Sequence, residues 1–202
     1  MPETKLVEFK NNNGDILRGI LTGGELNGEV ILMCGGFERS ATTEKKFKSL
    51  ADRLSEKNIT SLRFDYTGCG LSDGDFSQVT IKRMSEDARR AIEFLQNKIK
   101  SDKISLVCHS VSGCIAASLS QEINFKKFVT IAPALNQKDL LRFWFVTSVM
   151  KKQNPAIEIN WQNYKNYLDE KNFQADCAKT NRMSKANYIS SEYFIENKDK
   201  DY

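Results

Sequence analysis

The chain has 202 residues, enough for one domain with a real core or for one domain carrying an insertion. Its formal charge of +4 is carried by scattered lysines and arginines, with no basic run interleaved with aromatics, so a nucleic acid partner is not expected. Five cysteines without a CxxC pair and a single histidine argue against a zinc site, and neither a metal nor another cofactor is expected.

The opening residues "MPETKLVEFK" contain no apolar signal segment, from which a cytoplasmic location is expected. "KLVEFK" (5–10) and "DILRGILT" (15–22), joined by "NNNG", read as a β-hairpin, and "EVILMCGG" (29–36) follows as a continuously apolar strand. Phe47, Leu50, Ala51 and Leu54 then mark one face of a helix. "ITSLRFDY" (59–66) is the next buried strand, and it ends in the turn-rich loop "TGCGLSDGDFS". A second helix starts at Thr80, with Ile81, Met84, Ala88, Ile92 and Leu95 on one face. "KISLVCHS" is a strand, "GCIAASLS" a short helix, and "KKFVTIAPAL" (126–135) a further strand.

Buried strands alternating with helices predict an α/β fold: a mostly parallel sheet covered on both faces, mixed at the edge where the hairpin joins. After Leu135 the pattern changes. Residues 136–202 are polar and aromatic-rich, suggest short helices and show no further buried strand. Two regions are therefore expected, a core of 1–135 and a helical cap or insert of 136–202. The longest apolar run, "LLRFWFVTSVM" (140–150), contains Arg142 and is too short to span a bilayer, so no membrane partner is expected.

Ser110 lies between the strand "KISLV" and the helix "GCIAASLS". A strand, a very tight turn carrying a serine and then a helix is the arrangement of a nucleophile elbow, where the residues two before and two after the serine must be small. Here they are Cys108 and Ser112. A serine that only caps a helix gives the same local pattern. "ILMCGGFERS" is a second strand running into a Gly-Gly turn. It offers the Phe37 N–H, alongside the Val111 N–H, as donors to a developing oxyanion, although the glycines also fit a plain tight turn. The loop "GCGLSDG" is not a dinucleotide-binding loop: its glycines are spaced G-x-G-x-x-x-G and no helix opens directly after it.

Taken together, "CGGF", "LRFDYTGCGLSDGDFSQVTIKRMSEDARRAIEFL" and "VCHSVSG" resemble the α/β-hydrolase superfamily, most closely its bacterial esterase and acyl-peptidase-like members, which include feruloyl esterases. The likeness runs from about residue 5 to 135. It implies Ser110 as nucleophile and the backbone N–H groups of Phe37 and Val111 as oxyanion donors. His109 matches an elbow histidine that is not the base, and Asp65, Gly68, Gly70, Ser72, Asp73 and Gly74 match a loop that buttresses the site. Gly35 stands where the family usually has histidine, and Cys108 and Ser112 where it has glycines.

The resemblance also implies two later strands that bring the triad's Asp and His, and nothing after residue 135 matches them. No histidine follows position 109. The resemblance therefore implies a C-terminally truncated hydrolase lacking the last strands, with an apolar sheet edge open to self-association and with little or no activity of its own. It implies hydrolysis of a small-molecule acyl ester through an acyl-Ser110 intermediate. Phe143, Trp144, Trp161 and Tyr164 are the candidate substrate-lining residues, though packing within the helical layer accounts for such aromatics equally well. The alternative is a non-catalytic relative that binds a ligand or partner in the same cleft.

Overall fold

The computed structural model describes residues 3–23, 28–100, 103–179, 182–183 and 187–202. Strands β1 (Thr4–Lys10) and β2 (Ile16–Thr22) form the expected antiparallel hairpin. Its turn is organised by the Asn11 side-chain oxygen, which accepts the N–H groups of Asn13 and Asp15, both at 2.9 Å. Strands β3 (Val30–Cys34), β4 (Thr60–Phe64), β5 (Ile104–His109) and β6 (Phe128–Ile131) complete one six-stranded sheet in the order β1-β2-β4-β3-β5-β6. The pairs β4–β3, β3–β5 and β5–β6 are parallel, whereas β2 meets β4 antiparallel, which makes the sheet mixed at one side.

The alternation along the central strands decides which helix covers which face. Met33 and Val107 point to one side and pack with Phe47 and Ala51 of α1 (Lys45–Ser55). Leu32, Cys34, Leu62, Phe64, Leu106 and Cys108 face the other side, under α2 (Ile81–Phe94) and α3 (Ser112–Leu119). The α2 N-terminus is capped by the Thr80 hydroxyl, which accepts the Arg83 N–H at 3.1 Å. The architecture is that of an α/β sandwich with helices on both faces.

After β6 the chain builds a helical layer: α4 (Gln137–Gln153), a 3-10 turn (Tyr164–Tyr167), α5 (Glu170–Cys177), the two-residue strands β7 (Arg182–Met183) and β8 (Tyr188–Ile189), and α6 (Ser191–Asn197). At 17 residues, α4 is longer than the short helices expected there. The layer closes on itself, since the Tyr202 N–H donates to the Leu135 carbonyl at 3.1 Å and the Lys138 N–H to the Lys200 carbonyl at 2.9 Å. Buried Arg142 ties its parts together. Its guanidinium holds Glu170 at 2.6 Å and Asp199 at 3.1 Å and lies 4.6 Å from the centre of the Phe173 ring.

No helix among the described residues is long and apolar enough to cross a membrane. All five cysteines are buried, and burial pushes the thiols of Cys69 and Cys114 up to about 12, which keeps them protonated and unreactive.

One buried acid makes stability depend on pH. Asp87 on α2 accepts the Thr67 N–H at 2.8 Å, yet burial raises its carboxyl to about 6. Between the unfolded value near 4 and the folded value, the native state binds more protons than the unfolded one, so this group's contribution falls as pH rises. A shift of that size corresponds to roughly 2–3 kcal/mol. Denaturant titrations are expected to show the stability of the natural chain relative to Asp87→Asn dropping by that order between pH 4 and pH 7. A flat difference would place the carboxyl in water.

Candidate functional site

Register assembles the site. Cys34 on β3 pairs directly with Cys108 on β5, so the residues two positions beyond, Gly36 and Ser110, leave the sheet side by side. At Ser110 the backbone turns abruptly from β5 into α3 and takes a φ of +55°, the left-handed region that non-glycine residues rarely occupy. Neighbouring backbone holds that conformation. The Ser110 N–H donates to the Ile131 carbonyl at 3.0 Å, and its carbonyl accepts the N–H groups of Gly113 at 3.0 Å and Ala134 at 3.1 Å. β6 and the loop after it thus clamp the serine from one side.

The Gly35-Gly36 turn clamps it from the other. A Cβ at Gly36 would lie 2.8 Å from His109 Nδ1 and 3.3 Å from the Ser110 Cβ, so only glycine lets the two turns approach this closely. Beneath them, the buried Ser112 hydroxyl donates to the Gly35 carbonyl and lies 2.8 Å from the Tyr66 hydroxyl. The serine found in place of an elbow glycine is therefore a cross-link between the two turns. Cys108, in the other glycine's place, is fully buried among the core residues.

Phe37 and Val111 both line the cleft around Ser110, and neither N–H donates to an acceptor among the described residues. Val111 immediately precedes α3, where first-turn N–H groups have no partner within the helix. The Ser110 hydroxyl likewise has no hydrogen-bond partner among the described residues.

His109 is turned elsewhere. Its Nδ1 lies 3.2 Å from the Lys46 ammonium and against Gly36. Burial, reinforced by the Lys46 charge, lowers its pKa, so the ring is neutral at physiological pH but does not address the Ser110 hydroxyl.

Asp65 at the end of β4 supports the site from behind. It is fully buried, and its carboxylate accepts from the Thr42 and Leu71 N–H groups at 3.1 and 2.9 Å and from the Ser40 and Thr42 hydroxyls. The Ser72 hydroxyl closes the loop onto the Asp65 carbonyl at 2.6 Å. The segment after the Gly-Gly turn is thus pinned to the glycine-rich loop.

A cleft of about 1260 Å³ opens over Ser110 between these turns and the helical layer. Of the four aromatics expected to line it, only Trp144 does so. Phe143, Trp161 and Tyr164 stack on one another, with ring centres 5.3–5.7 Å apart, and are absent from the cleft wall. Around Trp144 the wall is one face of α4, which also holds Leu140, Leu141, Phe145, Ser148 and Val149, together with Tyr193 and Phe194 of α6, and these other residues sequence reasoning missed. Its signal was available: those six positions follow the helical i, i+3, i+4 spacing, and Phe143 falls off that face.

Comparison with known proteins agrees with this geometry. The family model of serine aminopeptidase S33, an α/β-hydrolase family, matches residues 24–196. A thiohydrolase of Arthrinium phaeospermum is 32% identical over 134 residues, which cover 63% of this chain and 42% of the relative. An acyl transferase of Shewanella hanedai is 26% identical over 152 residues, covering 75% of this chain and 48% of the relative. The chain spans less than half the length of these curated relatives.

Among solved structures, Est1E of Butyrivibrio proteoclasticus, determined with ferulic acid bound, superposes with a TM-score of 0.66 at 15% identity over 95% of this chain and 70% of its own. The α/β hydrolase GrgF of Penicillium sp. sh18 gives 0.66 at 17% identity, over 98% of this chain and 74% of its own. With a strained serine between β5 and α3, a Gly-Gly turn beside it and a family match over most of its length, the chain belongs to the serine aminopeptidase S33 family of α/β-hydrolases.

Proposed function

We propose that this chain carries the nucleophilic half of a serine acyl hydrolase acting on small-molecule acyl esters or thioesters. The observation that supports this best is the left-handed Ser110 at the β5–α3 turn, flanked by the two unpartnered amides of Phe37 and Val111. In this reading the Ser110 oxygen attacks the acyl carbonyl and forms the O–C bond of an acyl-Ser110 intermediate. The two N–H groups take the charge that develops on the carbonyl oxygen. The leaving group departs with a proton, and water releases the acid in a second step.

Both steps need a base at Ser110. The single histidine of the chain, His109, faces Lys46 and Gly36 and is not placed to act as that base. We take 1–135 as the N-terminal part of the catalytic core and 136–202 as its cap, with the triad acid and base supplied by polypeptide that pairs with β6. Two observations support this. Over half of each curated relative lies outside the match, and β6, the strand bonded to Ser110, pairs with no further strand among the described residues. Until such a segment is present the serine is a weak nucleophile, and turnover by this chain alone is expected to fall short by several orders of magnitude.

A fluorophosphonate probe tests the assignment. Slow labelling is expected in the natural chain and none in Ser110→Ala, with p-nitrophenyl acetate turnover following the same pattern. Labelling that survives the substitution would put the nucleophile elsewhere. A well-folded chain that never labels would favour the non-catalytic reading, in which the same cleft only binds; His109 turned from Ser110 is the feature that supports it.

A further inference from the structure

We infer that the cleft selects a long, unbranched acyl chain laid along α4. This deepens the acyl-hydrolase reading and rests on it. The face of α4 that lines the cleft begins at Gln137, next to the Ala134 N–H that holds Ser110, and ends at Lys152. Those fifteen helical steps amount to about 22 Å at the rise of an α-helix, the length of an extended long-chain acyl group. The volume of about 1260 Å³ exceeds the roughly 300–1,000 Å³ usual for compact small-molecule sites.

The chemistry along the cleft is graded. Next to Ser110 it is polar, with the Phe37 and Val111 amides and buried Gln137. Through the middle the walls are apolar: Leu140, Leu141, Trp144 and Phe145 on α4, with Phe194 of α6, while Tyr193 packs on Phe37 and its hydroxyl donates to Gln137 at the Ser110 end. Polar groups also line it beside the Gly-Gly turn, at Glu38, Arg39 and Asn187, and along α4 they return at the far end, at Ser148 and Lys152, near the Asp176–Lys179 ion pair, whose atoms are 3.2 Å apart. A peptide or sugar would meet few partners for its polar groups along that middle stretch. A hydrocarbon chain needs none there, and its carbonyl would sit at the Ser110 end, against the two amides.

Calorimetric titration of the Ser110→Ala chain, which cannot form an acyl intermediate, with hexanoyl and dodecanoyl thioesters of N-acetylcysteamine tests the inference. Each buried methylene tightens binding by a factor of about 4, so burying even half of the six extra ones predicts at least ~50-fold tighter binding of the longer thioester. Val149→Arg and Ser148→Trp, each checked for a natural-like unfolding transition, both obstruct the distal half, and each is expected to remove most of that gain. Equal affinities for the two lengths, or a gain that survives both substitutions, would overturn the inference while leaving fluorophosphonate labelling of the natural chain untouched. Binding of neither thioester would overturn the acyl-substrate reading as well.

Discussion

Gly70→Ala is expected to abolish the native fold at ordinary temperature, a loss on the order of 4 kcal/mol or more. A Cβ at that position would sit 2.1 Å from an oxygen of the Asp65 carboxylate, and the backbone there has a φ of +53°, which a side chain resists independently. The carboxylate cannot retreat, since it is fully buried and already holds the Thr42 and Leu71 N–H groups. Moving it would leave a buried charge short of partners, a penalty far above the roughly 1 kcal/mol of an ordinary hydrogen bond. Urea titration and near-UV circular dichroism are the measurements. A midpoint within a few tenths molar of the natural chain would show that the loop can open around the new methyl. Asp65→Ala should be less severe, because it removes the buried charge itself and leaves only neutral donors without their acceptor; it is expected to free the Ser40–Thr42 segment and so loosen the Phe37 amide.

Concentration-dependent self-association is the second large effect expected. β6 is the last strand of the sheet, and Phe128, Val129 and Ile131 are 55%, 56% and 40% exposed, unusual for three apolar residues of one four-residue strand. An unpaired apolar edge is a template for another strand, and proteins that keep such edges in water usually interrupt them with charge or proline. Val129→Lys places a charge at the centre of that edge without touching Ser110, whose hydrogen bond is to the carbonyl of Ile131. Sedimentation velocity is expected to show association of the natural chain and at least a ~10-fold weaker association of the variant. A natural chain that sediments as a monomer at high concentration and unfolds in one sharp transition would mean that the edge needs no partner, and the proposal that β6 awaits a completing strand would fall with it.

The hairpin, the alternating strands and helices and the turn at Ser110 were legible in the sequence because each depends on neighbours a few residues away. Apolar runs separated by turns leave little choice but a parallel sheet, and "VCHSVSG" between a strand and a helix fits a tight turn presenting its serine. The unpaired apolar edge could be anticipated too, since no buried strand follows "KKFVTIAPAL". The helical layer after β6 was harder to read. Phe143 and Trp144 are adjacent on one helix, yet one stacks on Trp161 and Tyr164 while the other lines the cleft, and composition treats them alike.

Chain order alone thus determined that a serine stands between a strand and a helix, that a Gly-Gly pair follows an earlier strand, and that the only histidine is the serine's neighbour. The tertiary structure decided the rest: that Ser112 bridges the two turns, that Asp65 reaches across to Ser40 and Thr42, that the His109 ring goes to Lys46, and that one face of α4 forms the cleft wall. The physical reason is range. Turn strain and burial period are local properties, whereas the direction of a side chain and the face a helix presents depend on which distant surfaces pack against it.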